Sequence, residues 1–224
     1  MSDILNVVCL KWGTKYSADY VNRLYHMVSR NMTRPFRFHC LTEDPGGLDA
    51  GVVPLTLETS PEFAGWWYKL SLFRQDFFGL SGNILYLDLD VVIVDNIDFL
   101  ADLPGDFLII RNWSRNLMWN SSVMRFRSGK YAHIWNRFLE DRRNIMRSYN
   151  GDQEWIFACV PEAGNWPGDK IISYKKSLDS RAFPVLRKLG LGRLGLKAPA
   201  RMDTALPSGA AIVVFHGKPD PEDV

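Results

Sequence analysis

Apolar and polar positions alternate between short β-type runs and helical stripes along most of the chain. Ile4 to Leu10 is an apolar run of strand length, and Lys11 to Lys15 reads as a turn. Ser17 to Arg30 has helical spacing, with Tyr20, Leu24, Met27 and Val28 on one stripe and Ser17 placed to cap it. Phe36 to Thr42 and Val52 to Leu57 read as strands, separated by the turn at Pro45-Gly46-Gly47. Tyr68 to Phe78 predicts a helix and Ile84 to Asp88 the strongest strand. Phe107 to Arg111 and Met118 to Phe126 predict strands, and Lys130 to Met146 and Asp152 to Cys159 helices. Ala210 to Phe215 is the last predicted strand. The alternation predicts a single α/β domain over residues 1–224, with a mainly parallel sheet flanked by helices.

Within this pattern, Ile84-Leu85-Tyr86-Leu87-Asp88-Leu89-Asp90-Val91-Val92-Ile93-Val94 stands out. Two carboxylates sit two residues apart in an apolar run. In an extended strand, alternate residues share a face, so Asp88 and Asp90 would project together. Like charges held close repel unless a cation lies between them. A hard divalent ion, which prefers oxygen ligands, meets that need. The plainer alternative is a turn cap and a solvated strand end.

Three further polar sets follow. Asn120-Ser121-Ser122 interrupts the apolar run around Trp119 and Val123; it suits either a ligand contact or a bend. Gly151-Asp152-Gln153-Glu154 opens a helix, where Asp152 suits a ligand or an N-cap. His216-Gly217-Lys218-Pro219 follows the last strand, offering an imidazole and a point charge suited to phosphate. Ligands of open α/β sheets bind outside the carboxyl ends of the strands, where Asp88 and Asp90 belong.

The four sets, in this order, resemble nucleotide-sugar-dependent glycosyltransferases of the GT-A fold, most closely glycosyltransferase family eight. Asp88-Leu89-Asp90 looks like the family's D-x-D, and Asn120-Ser121-Ser122 like its Asn, small residue, Gly strand. Asp152-Gln153 looks like its Asp-Gln pair, and His216-Gly217-Lys218-Pro219 like a shortened form of its C-terminal motif. Ser122 stands where the family has glycine.

The resemblance implies Mn²⁺ or Mg²⁺ held by Asp90 and His216, with Asp88 on the metal or the ribose. It implies Lys218 at the diphosphate and Asp152, Gln153, Asn120 and Ser121 at the donor sugar. Val8 to Thr14, including Val8 and Leu10, would lie against the nucleotide, and Lys69 would reach a phosphate. The activity implied is transfer of a sugar, with retention of configuration, from a UDP-sugar to a glycan or lipid-linked acceptor of bacterial polysaccharide or glycolipid synthesis. Nucleic acid is not an implied partner.

Two other classes compete. Asp88-Leu89-Asp90-Val91-Val92 also matches the start of haloacid-dehalogenase-type phosphatases, but these need a later acidic pair that Asp152-Gln153-Glu154 supplies poorly. A binding module that kept the fold without turnover is the other.

Composition adds compartment and surface. The chain is 46% hydrophobic and 23% charged, as in folded proteins without membrane spans. Met1-Ser2-Asp3 does not begin a signal peptide, and Cys9, Cys40 and Cys159 are widely spaced. Together these predict reduced core cysteines and a cytoplasmic location. From Tyr174 to Pro207, eight Lys/Arg stand against Asp179 and Asp203, interleaved with leucines and glycines. This basic-apolar excursion predicts either a solvated loop or a peripheral contact with an anionic membrane face or acceptor, outside the nucleotide site. The eight tryptophans, Trp66-Trp67 and Trp113 among them, suit either sugar stacking or core packing.

Overall fold

The computed structural model describes residues 4–63, 65–114, 118–179 and 205–224. Seven strands form the main sheet: β1 (Leu5–Lys11), β2 (Phe36–Thr42), β3 (Val52–Thr56), β4 (Asn83–Leu87), β6 (Phe107–Arg111), β7 (Trp119–Arg127) and β8 (Gly164–Asn165). Their order is β3-β2-β1-β4-β7-β6-β8. The β3-β2-β1-β4 half is parallel, and β7 runs antiparallel to both β4 and β6. The predicted mainly parallel α/β sheet is therefore present.

Side chains of β1 and β4 alternate between two cores, as the two-residue period of a strand requires. Val8, Leu10, Ile84 and Tyr86 enter one, beneath a 3₁₀ helix (Gly65–Phe73), α3 (Ala132–Ser148) and α4 (Asp152–Cys159). Leu5, Val7, Cys9, Leu85 and Leu87 enter the other, with α1 (Ala18–Asn31) and α2 (Phe99–Asp102). Burial on both faces explains why these strands read as continuous apolar runs. Cys9 and Cys40 are register partners on β1 and β2; both are buried and free, as expected of core thiols.

A second, three-stranded sheet was largely hidden in the sequence. In it β10 (Ile212–Val214) lies between β5 (Val91–Ile93), to which it is antiparallel, and β9 (Ile171–Ser173), to which it is parallel.

Two expectations need correction. The helix predicted over Tyr68 to Phe78 is the 3₁₀ helix Gly65–Phe73, whose Trp67 to Phe73 are all buried. With no polar face it lacks the amphipathic stripe of a surface α-helix, and Phe78 leaves the helical region altogether at φ 53°. Ser17 holds the N-cap position of α1, yet its side chain makes no capping bond.

Candidate functional site

The strand β4 ends at Leu87, so Asp88 and Asp90 do not lie within it; they occupy the turn to β5. The alternation nevertheless persists through the turn. Leu89 is buried in the core on the α1 side, while Asp88 and Asp90 face a cavity of about 400 Å³. Tyr86, two residues before Asp88, shares its face and donates its hydroxyl to Asp88 Oδ1 at 2.6 Å.

The small sheet brings the C-terminal motif to the same place. Phe215 N–H donates to the carbonyl of Asp90 at 3.1 Å, extending the β5–β10 pairing by one step. His216 follows directly and lines the cavity. Its Nε2 is 2.7 Å from Ser173 Oγ at the end of β9, and Trp113 stacks on its ring at 5.5 Å between centroids.

The polar run of β7 enters by a bulge. Ile109 pairs with Met124 but Ile110 pairs with Asn120, so residues 121–123 have no partner on β6. Bulges re-aim side chains. Here Ser121 Oγ donates to Asp152 Oδ2 at 2.6 Å, and Ser122 lines the cavity. Asn120 is buried and spends its Oδ1 on the Ser122 N–H at 3.0 Å, so it supports the bulge from behind.

Lys69 is the electrostatic centre. It is 5% exposed, with Nζ 2.9 Å from Asp88 Oδ1, 3.5 Å from Asp152 Oδ2 and 3.0 Å from Ser121 Oγ. Burial opposes its charge, but Asp152 and Asp88 outweigh burial and hold the ammonium protonated. Burial raises the Asp152 carboxyl, and Lys69 pulls it back. Lys69 is thus a buried partner of the carboxylates and not an exposed phosphate ligand. It also supplies part of the cation that repulsion between the aspartates demands.

One ammonium among Asp88, Asp90 and Asp152 leaves negative charge unbalanced. The excess falls on Asp90, whose carboxyl burial and Asp88 push up to about 7. Its Oδ2 accepts from the Tyr16 hydroxyl at 3.2 Å. Asp88, Asp90 and His216 all line this cavity, and carboxylate and imidazole donors are of the kind that suit Mn²⁺ or Mg²⁺. Among the described residues, however, no three His, Cys, Asp or Glu stand together as a group that could hold a metal ion.

Two expected contacts are redirected. Lys218 is drawn to Asp220 and Asp223, and its side chain is 74% exposed. The carboxylates that follow it in the chain capture the ammonium before it reaches the cavity. Val8 is fully buried in the core below, whereas Leu10 reaches the cavity wall. Among the described residues, Lys15 lines the cavity, and Lys175 approaches its rim, with Nζ 3.3 Å from where a Cβ on the lining residue Gly217 would stand. Lys175 opens the basic excursion that was expected to stand outside the nucleotide site. Of that excursion, residues 180–204 lie outside the described residues.

Sequence reasoning missed Tyr16, Lys15, Ser173 and the individual role of Trp66. A Tyr two residues ahead of a helix carries no local signal; only the fold carries it to Asp90. Trp67 and Trp66 divide the sequence ambiguity between them: Trp67 stacks on Phe138 in the core, and Trp66 is 55% exposed at the cavity. A larger cavity of about 680 Å³ lies behind the aspartate turn between α1 and β5, but it holds none of these converging groups apart from the backing residue Leu89.

No protein-family model matches the chain, and no curated protein sequence does so either. Solved structures do match in fold, glycosyltransferases among them. An active-site mutant of LgtC superposes with a TM-score of 0.62 at 15% identity, over 96% of this chain and 89% of that one. The galactosyltransferase LgtC in complex with donor and acceptor sugar analogues gives 0.60 at 15% identity, over 96% and 88%. The apo-form glycosyltransferase GlyE of Streptococcus pneumoniae TIGR4 gives 0.64 at 13% identity, over 97% of this chain and 56% of that one. The fold is the GT-A glycosyltransferase fold. At these identities, the likeness is one of fold.

Proposed function

We propose that the chain is a metal-dependent glycosyltransferase that moves a sugar from a nucleoside-diphosphate donor, UDP-sugar by resemblance, to a glycan or lipid-linked acceptor. The observation that carries this reading is the convergence of Asp88, Asp90, Asp152, Gln153 and His216 on one cavity at the carboxyl end of β4. That cavity sits in a fold shared with LgtC, which has been solved with donor and acceptor sugar analogues.

Each group has a role suited to its surroundings. Trp12 and Tyr16 form aromatic walls against which a base can stack. Lys15 and Lys175 place positive charge at the mouth, where a diphosphate would lie. Asp88 and Asp90, with His216 beside them, would hold the divalent ion. Bound there, it would neutralise charge developing on the departing diphosphate, a contribution of several kcal/mol. Gln153 and Ser122 offer hydrogen bonds to donor-sugar hydroxyls. Asp152 is fixed by Lys69 and Ser121 on the sugar side of the cavity. In the transfer, the anomeric carbon–phosphate oxygen bond breaks and an acceptor hydroxyl bonds the same carbon. The hydroxyl proton leaves toward the nucleoside diphosphate. Retention is what the resemblance to family eight implies.

The phosphatase reading loses support from Glu154. Instead of joining Asp152 as a second acidic ligand, it accepts from the backbone and side-chain nitrogens of Asn150 at 2.8–2.9 Å.

A thermal-shift screen of nucleotide sugars with and without Mn²⁺ tests the proposal, because a ligand of the folded state raises the melting temperature by mass action. A metal-dependent shift with UDP or a UDP-sugar is expected, with slow donor hydrolysis. No shift with any nucleotide sugar overturns it; a shift without any hydrolysis or transfer points to a binding module.

A further inference from the structure

Phe215, His216 and Gly217 line the donor cavity, and three acids follow them closely in the chain: Asp220, Glu222 and Asp223. They belong to a short 3₁₀ turn (Pro221–Asp223) whose bonds hold it in shape. The Asp220 side chain accepts from the backbone N–H of Asp223, and Asp223 Oδ2 accepts from the N–H of Asp220 at 2.8 Å. Glu222 takes the hydroxyl of Tyr20, tying the turn to α1.

Asp220 is only 5% exposed. A carboxylate withdrawn from water needs a counter-charge. Lys218 supplies one, bonding Asp220 Oδ2 and reaching Asp223 Oδ2 at 3.3 Å. Lys15 stands 4.0 Å from the other oxygen of Asp220, while its Nζ donates to the Tyr16 hydroxyl at 2.6 Å on the cavity wall. One buried carboxylate therefore has an ammonium on each oxygen. The first belongs to a residue that lines the cavity, and the second to the residue that follows the lining Gly217.

A nucleoside diphosphate in the cavity needs the same cations that Asp220 holds. What its phosphates gain from them, Asp220 loses. Lys218 is the partner free to move, since its side chain is 74% exposed on a flexible stem, whereas Asp220 is fixed by its turn.

We propose that Asp220 is an internal competitor of the donor diphosphate: it holds Lys15 and Lys218 in the empty site, and the phosphates bind by drawing these ammonium groups away from it. The exchange makes and breaks no covalent bond. It weakens the hold on the nucleoside diphosphate, which must leave after each transfer. The proposal rests on the glycosyltransferase reading and deepens it by naming the residue that limits affinity for the diphosphate.

Isothermal titration with UDP and with uridine, in Mn²⁺, tests it on wild type, Asp220→Asn, Asp223→Asn and the double variant Asp220→Asn/Lys218→Met. Asparagine at 220 keeps an oxygen for the Asp223 N–H and removes only the charge. Asp220→Asn is expected to bind UDP about three- to tenfold more tightly than wild type, the scale of a partly screened charge interaction. Asp223→Asn, at a more exposed carboxylate, should give a smaller gain in the same direction and decides the matter if Asp220→Asn does not fold. Uridine, which has no phosphate, should bind every variant equally. The double variant should lose much of the gain, because one freed cation is gone. If UDP binds wild type but no more tightly in either single variant, the competitor proposal falls and the donor reading stands. The same holds if uridine gains as much as UDP, or if the double variant keeps the full gain. If UDP does not bind wild type, both fall together.

Discussion

Nζ of Lys69 stands 2.9 Å from Oδ1 of Asp88, with both side chains largely withdrawn from water. The same ammonium serves Asp152 at 3.5 Å. Removing one member of a buried ionic cluster leaves the others unpaired, which is far more damaging than losing a surface pair. Lys69→Met is therefore expected to lose about 3 kcal/mol of stability, measured by urea denaturation at pH 8. The loss should shrink toward pH 4, where Asp152 can take up a proton in place of the missing ammonium.

Asp90 gives the opposite sign. Folded Asp90 keeps its proton up to about pH 7, whereas an unfolded aspartate releases it near 3.9. Between those values the folded state binds more protons, so this group makes stability fall as pH rises. Asp90→Asn should accordingly raise the melting temperature at pH 8 and leave it little changed at pH 4. Mn²⁺ should stabilise wild type at pH 8 and not the variant. A variant less stable than wild type at pH 8 would contradict the assignment.

His216 is held neutral by burial and by the nearby Lys175 and Lys176, so its pKa lies below the ordinary 6.5. Metal affinity of the wild type should fall in two steps as pH drops, first near 7 as Asp90 protonates and again below 6.5 as His216 does. His216→Ala should bind metal more weakly and retain only the upper step. Isothermal titration with Mn²⁺ across that range reads both.

Arg125 is 2% exposed on β7 and donates to the carbonyls of Leu100, Ala101, Leu103 and Gly105. It closes the carboxyl end of α2 from inside the protein. Arg125→Leu should destabilise by about 3 kcal/mol, since several buried carbonyls lose a charged donor together. UDP affinity of the folded fraction should be unchanged.

The excursion over 174–207 yields a surface prediction from its composition. Charge reversal at Arg187, Lys188 and Arg193 should weaken sedimentation with anionic liposomes, more at low salt than at high. Binding that is unchanged at low salt would assign the segment no membrane role.

The apolar runs carried the parallel half of the main sheet because strands buried on both faces leave an unbroken signal. The Asp88-Leu89-Asp90 alternation was equally readable: Leu89 is packed in the α1-side core while both aspartates line the cavity. What could not be read was pairing. Three-residue strands such as β9 and β5 are too short for periodicity to mark, yet they decide that His216 and Asp90 line one cavity. Nor does the sequence say which anion a lysine will find. Lys69 and Lys218 were both expected at a phosphate; Lys69 instead became the centre of the cluster, and Lys218 was claimed by Asp220.

The pairing of β5 with β10 also orders events in time. The two strands lie far apart in the chain, and β4 and β7 can complete their ladder before β10 exists. Closing so long a loop is entropically slow relative to local pairing. A chain emerging from the ribosome would thus possess a nearly finished main sheet and both aspartates, yet no imidazole beside them. On the proposed reading, the set of groups around the cavity would be complete only once β10 has docked on β5.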